Sequence, residues 1–194
     1  MNYIELSELK SKNAYSVLNE TGIVETLQSS GCRVNLVGSL KMGLLASHRD
    51  IDVHIYTEKV TTESSFAIMS KIAENRNVIE IKCINGLHTS EHCISWHIFY
   101  KSQSGDIWQI DIIHIESGSF YDGFFENMAK RICDVMTENQ RNTILELKFT
   151  TPEGRDYHGV EYYEAVISDN VSTMQEFEQW VLKHRKKAPY YWVP

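Results

Sequence analysis

Two aspartates one residue apart, Asp50-Ile51-Asp52, follow the segment Gly38-Ser-Leu-Lys-Met-Gly43 after six intervening residues. From Asp50 to Tyr56 the chain alternates strictly, with Ile51, Val53 and Ile55 on one face of a predicted strand and Asp50, Asp52 and His54 on the other. Carboxylates at i and i+2 project from the same side of a strand, as oxygen coordination of Mg²⁺ or Mn²⁺ requires. Upstream, the short strand Arg33–Val37 runs into a Gly38-Ser39 turn that opens a brief helix. Free N–H groups and the Ser39 hydroxyl there can hold a phosphate, and glycine at 38 lets the backbone come close. Metal-binding carboxylates beside a phosphate cradle are what phosphoryl-group transfer needs, because two metals clamp the attacking and leaving oxygens. A Gly-Ser pair alone is a generic turn, and an Asp-x-Asp alone is often a solvated strand face. The order of the parts carries the information.

That order resembles the signature of the DNA polymerase β-like nucleotidyltransferase superfamily, Gly-Ser-x-x-x-Gly followed by Asp-hydrophobic-Asp-hydrophobic. Gly38, Ser39, Gly43, Asp50, Ile51, Asp52 and Val53 all match. The resemblance implies a third carboxylate on a later strand, and Asp111, the one acidic residue in Trp108-Gln-Ile-Asp-Ile-Ile, fits. It covers roughly residues 14 to 116 and implies two metal ions and transfer of a nucleoside monophosphate from an NTP, ATP among them, with release of pyrophosphate. By the same analogy Asp50 and Asp52 bind both metals, and Asp111 binds the second or deprotonates the acceptor hydroxyl. Two departures bear on substrate choice. His48-Arg49 precede the first aspartate where many members have a small or polar residue, and Lys41-Met42 replace a small residue followed by arginine. Lys41, and Arg49 from its loop, are candidates to reach the β- or γ-phosphate.

The elements that must position these groups read as an α/β (α+β) chain: a mixed sheet flanked by helices, with a helical C-terminal extension. A helix is expected over about 14–30, stopped by Gly31, and a brief one over Lys41–Leu45. Thr61 or Thr62 caps a helix to about Asn75 whose inner stripe is Phe66, Ile68, Met69 and Ile72. Strands are expected over 78–84 and 94–100, joined by a loop beginning Asn85-Gly86, and over 107–115 after Ser104-Gly105. After the break Gly118–Gly123 come helices over 124–136, 138–148 (capped by Thr137), 162–167 and 172–187, with Pro152-Glu-Gly-Arg as a linker. The catalytic core is expected to span 1–116 and the helical region packed on it 117–194.

Composition narrows the class. A chain of 194 residues with ordinary apolar and charged fractions buries a real core. Net charge is −7, and the one basic run is Lys183-His-Arg-Lys-Lys187, so general nucleic-acid binding is not expected. The entry Gly31-Cys-Arg-Val-Asn-Leu-Val-Gly-Ser39 and the helix before it resemble those of antibiotic-modifying nucleotidyltransferases of the lincosamide or aminoglycoside kind. An acidic chain fits the small-molecule acceptor this implies better than tRNA or DNA. Four scattered cysteines, no signal peptide and no apolar run near 20 residues point to a reduced, soluble, cytoplasmic protein without membrane contact. An open acceptor side leaves room for a homodimer. The rivals are a toxin–antitoxin-type enzyme that modifies a protein or tRNA, and a non-catalytic nucleotide-binding module on the same fold.

Other features are weighed and set aside. Cys83, His88, His92, Cys93 and His97 lack zinc-knuckle spacing and straddle a hairpin loop. His54 shares the aspartate face and takes either a structural or a catalytic role. His114 falls on the opposite face from Asp111 and is read as a core residue, whereas Gln109 shares the Asp111 face and can touch substrate. Tyr157, Tyr162, Tyr163, Phe177 and Trp180 read as core. Tyr190-Tyr-Trp192 can pack on the core, a second subunit or an acceptor. The Lys183–Lys187 run reads as a solvated helix end.

Overall fold

Period-two alternation in the central strands gives the sheet one apolar face and one polar face, and the fold follows from covering the first. The computed structural model describes residues 2–185 and 191–194. In order these form α1 (Tyr3–Thr21), α2 (Ile23–Ser29), β1 (Arg33–Leu36), α3 (Gly38–Lys41), β2 (Asp50–Thr57), α4 (Thr62–Ala73), β3 (Val78–Asn85), β4 (Cys93–Lys101) and β5 (Ile107–Glu116). Four helices follow: α5 (Phe124–Val135), α6 (Glu138–Thr150), α7 (Gly159–Asp169) and α8 (Met174–His184). The strands make one mixed sheet in the order β1-β2-β5-β4-β3, with β2 and β5 parallel and the other neighbours antiparallel. This is the expected mixed sheet flanked by helices.

Ile51, Val53, Ile55, Trp96, Ile98, Ile110 and Ile112 meet the inner faces of α2 and α4 in a first core. A second core lies among the C-terminal helices, built on Ile132, Ile144, Leu145, Val166 and Phe177, and Met42 and Leu44 from the loop after α3 belong to it. Tyr3 and Ile4 pack on this second core, while Ala14, Val17 and Leu18 of the same helix belong to the first. That division explains why α1 begins eleven residues before the expected start near 14: its apolar positions serve two partners and show no single stripe. Asn2 supplies the N-cap, its side chain accepting from the Ile4 and Glu5 N–H groups at 3.1 and 3.2 Å. The brief helix expected over 41–45 is displaced to Gly38–Lys41. No described helix is long and apolar enough to cross a membrane.

One expected core position is wrong, for a clear reason. Phe66, placed on the inner stripe of α4, is 49% exposed, and Ser65 is fully buried instead. The serine is needed there: its Oγ accepts from Trp96 Nε1 at 2.9 Å and lies 3.0 Å from His114 Nδ1, while His114 Nε2 lies 2.8 Å from Thr57 Oγ1. His114 is the core residue expected, with both ring nitrogens partnered inside the protein. Burial pushes its pKa down to about 4 from an ordinary value of 6.5. The unfolded chain therefore binds the extra proton first. The stabilisation is complete above about pH 6.5 and is lost as pH falls towards 4, on the order of 3 kcal/mol in all. Urea unfolding between pH 7 and 4.5 should show a steeper loss for wild type than for His114→Gln; parallel curves would contradict this assignment.

At the C-terminal end, Arg185 is exposed, as a solvated helix end should be, but it is also paired. Its guanidinium makes two hydrogen bonds, at 2.7 and 2.8 Å, to Glu161, whose side chain is fully buried. Lys186, Lys187 and Tyr190 lie outside the described residues. Trp192 packs against the second core, and the Tyr191 hydroxyl lies 2.6 Å from that of Tyr121.

Candidate active site

The parallel pairing of β2 with β5 sets Asp52 directly opposite Asp111 and Asp50 opposite Gln109. The antiparallel pairing of β5 with β4 then puts His97 beside Asp111. Three carboxylates that the sequence separates by some sixty residues thus share one sheet face. Asp52 carries the clearest perturbation: burial first, then the charges of Asp50 and Asp111, push its pKa up to about 7, with Lys148 and the Ser39 N–H opposing. Such a set of hard oxygen donors, short of positive charge, fits Mg²⁺ or Mn²⁺. Among the described residues no group of three His, Cys, Asp or Glu side chains is arranged so as to hold a metal ion. Asp111 is turned to protein partners instead. His97 Nδ1 lies 2.6 Å from its Oδ1, and Gln109 Nε2 donates to Oδ1 and Oδ2 at 2.8 and 3.1 Å.

Gly38 fixes the other side of Asp52. Its φ is +65°, and a Cβ there would lie 1.8 Å from Asp52 Oδ2 and 2.5 Å from Cγ. Only glycine permits this backbone to lie against the carboxylate. The Ser39 N–H, expected to face a phosphate, donates to Asp52. The Ser39 Oγ accepts from Lys148 Nζ at 2.8 Å and lies 2.9 Å from the Tyr163 hydroxyl.

Lys148 is the principal residue that sequence reasoning missed. It also donates to the Leu44 carbonyl at 2.8 Å, and it lines a cavity of about 90 Å³ together with Ser39, His48, Asp50, Arg155 and Tyr157. The signal in the sequence was a lysine four residues after Ile144, on the same face of its helix as that buried residue, where a cation needs a partner. Lys41 is not part of this cavity; it lines a separate groove with Glu8 and Arg141. Arg49 pairs with Asp106 at 2.8 Å, and its carbonyl accepts from the Gln109 N–H at 2.8 Å. His54 is buried beside Asp52 with Phe125 edge-on to its ring at 5.1 Å, and burial pushes its pKa down to about 4.

No protein-family model matches the sequence, and no curated protein does either. Solved structures do. The chain aligns with a structure of the poly(A) polymerase complex GLD-2–GLD-3 at a TM-score of 0.59 and 13% identity, over 86% of this chain and 58% of that one. The fold is that of a nucleotidyltransferase. A structure of Cid1, described as having RNA terminal uridylyl transferase activity, aligns at a TM-score of 0.54 and 14% identity, over 80% of this chain and 46% of that one. A cytoplasmic RNA terminal U-transferase aligns at 0.53 and 12%, over 86% and 51%. This nucleotidyltransferase-fold chain therefore spans between about half and three fifths of the length of these neighbours.

Lys148 is a cation on the wall of the Ser39 cavity, and its removal tests whether that cavity takes an anionic ligand. Lys148→Met is expected to weaken NTP binding at least about tenfold, the loss of one charge-assisted hydrogen bond in a half-enclosed site. Titration calorimetry with each NTP and Mg²⁺ measures it. Unchanged affinity would remove Lys148 from the binding site.

Proposed function

We propose that the protein transfers a nucleoside monophosphate from an NTP to a hydroxyl of a small-molecule acceptor and releases pyrophosphate. The observation that carries this reading is the in-register facing of Asp52 and Asp111, with Asp50 on the same face, beside a cavity lined by Ser39 and Lys148. Asp50, Asp52 and Asp111 would hold the divalent cations, which when bound neutralise the phosphates and lower the pKa of the acceptor hydroxyl. The acceptor oxygen forms a bond to the α-phosphorus while the bond from that phosphorus to the oxygen bridging to the β-phosphate breaks. The hydroxyl proton passes to Asp111 or to water, and pyrophosphate carries away the electron pair. Lys148 and Ser39 bind the departing phosphates. Tyr157, an aromatic ring on the cavity wall, offers a face to the base. His97 and Gln109 hold Asp111 in place and are positioning residues.

An RNA acceptor is the second reading, because the neighbours just described include proteins named for poly(A) and terminal uridylyl transfer. Against it stands a net charge of −7. An RNA track needs several Lys/Arg contacts to phosphates. The two are separated by incubating the protein with each α-labelled NTP, Mg²⁺, and either an acceptor panel of aminoglycosides and lincosamides or a 3′-hydroxyl RNA 15-mer. Label in a small acceptor with equimolar pyrophosphate supports the first; label in RNA alone selects the second. Pyrophosphate release with neither, under any NTP, would sink both.

A further inference from the structure

The aspartates lie between two recesses, and only one is accounted for by a nucleotide. The Ser39–Lys148 cavity opens at the Asp50 end of β2. The second recess opens two residues beyond Asp111 on the same face of β5, which is about 7 Å along the strand. It is a small recess of about 100 Å³, walled by Ser95, Ile113, Tyr121, Phe125 and Tyr191, with Glu91 also in its lining. The register continues the site: Ser95 pairs with Ile113 just as His97 pairs with Asp111. The side chains of His97 and Asp111 remain 29% and 25% exposed, so both can be reached from outside.

The geometry points to this recess as the acceptor subsite, and to an acceptor that is a small hydroxyl-bearing ring compound, neutral or cationic, not the 3′ end of a nucleic acid. This rests on the nucleotidyl-transfer reading above. Three aromatic rings form the wall, and the Tyr121 and Phe125 rings lie within 18° of parallel with centroids 6.5 Å apart, a surface suited to the face of a ring. The charged group in the lining is a carboxylate, and no Lys or Arg is among the described residues that line the recess. A phosphodiester placed there would meet Glu91 without a counter-charge, which disfavours RNA and favours an uncharged or protonated amino compound. Such a body seated against Ile113 can present a hydroxyl about 7 Å away at Asp111, on the opposite side of the metal carboxylates from the NTP. In-line displacement needs that opposition of attacking and leaving groups.

Two fillings test it on different strands, Ile113→Trp and Ser95→Leu, so that a failure of one to fold leaves the other. The probes are 4-nitrophenyl β-D-glucopyranoside, tyramine and a 3′-hydroxyl RNA 15-mer, read by saturation-transfer NMR for binding and by label from α-labelled NTP for transfer. Wild type should bind at least one ring probe through its aryl protons, and each folded filling should weaken that binding at least tenfold. Labelling of that probe should fall by at least the same factor. Equal binding in wild type and both fillings, or transfer to RNA undiminished by them, would overturn the assignment. Failure of the underlying reading shows separately, as an NTP-induced rise in melting temperature that needs neither Mg²⁺ nor Asp52.

Discussion

Asp52→Asn should lower nucleotidyl transfer by at least about a thousandfold, equivalent to ~4 kcal/mol of transition-state stabilisation. It should also leave the cation-free protein as stable as wild type, or more so. Asparagine keeps the shape and can still accept from the Ser39 N–H, so the local fold is preserved. What it removes is one of three carboxylates crowded on a single face, a charge that burial and the neighbouring Asp50 and Asp111 already oppose. A structural aspartate behaves in the opposite way, because its loss leaves donors unpaired and costs stability. Thermal unfolding in EDTA alongside the transfer assay checks both halves. Lost activity together with a large loss of stability would recast Asp52 as a structural residue.

The second large effect is at Gly38. Alanine there must keep φ near +65° with a Cβ 1.8 Å from Asp52 Oδ2 and 2.8 Å from Asp52 Cβ, so a strand residue has to move, not a flexible tip. A left-handed non-glycine residue alone costs about 1–2 kcal/mol, and displacing Asp52 adds to it, for roughly 2–4 kcal/mol in all. A misplacement near 1 Å in a catalytic group can cost about a hundredfold in rate. Gly31 is the matched control: its φ is +85°, and a Cβ would meet nothing within 4 Å. Gly31→Ala should cost only the backbone share, about 1–2 kcal/mol, with transfer unchanged. Urea midpoints and transfer rates for the two variants decide the point; equal effects would show that the contact with Asp52 does not matter.

The sequence made Asp50, Asp52 and Gly38 readable because local rules govern them: alternation fixes the face of a strand, and a turn before a helix calls for glycine. Asp111 was readable as an isolated charge in an apolar strand once the family pattern was in view. Its partners were not. His97 could be assigned to a face of β4 by parity, but its pairing with Asp111 depends on strand register, which tertiary packing sets. Lys148 lies about a hundred residues from Ser39 and meets it only through the tertiary packing of α6. Lys41 was the nearer lysine in sequence, yet a helix of four residues turns it into another groove. The early start of α1 was hidden because one helix serves two cores, and Phe66 was misplaced because a buried histidine and tryptophan required Ser65 as their hydrogen-bond partner.

The most direct test is the melting temperature of wild type and Asp52→Ala with ATP, GTP, CTP and UTP, each with and without Mg²⁺. At one hundred times its dissociation constant a ligand adds about 2.7 kcal/mol, which for a chain of this size is a rise of roughly 5–10 °C. The account predicts such a rise for at least one NTP in wild type, only with the metal, and none in Asp52→Ala. No rise with any nucleotide, or the same rise in the variant, would contradict a carboxylate-held metal–nucleotide site.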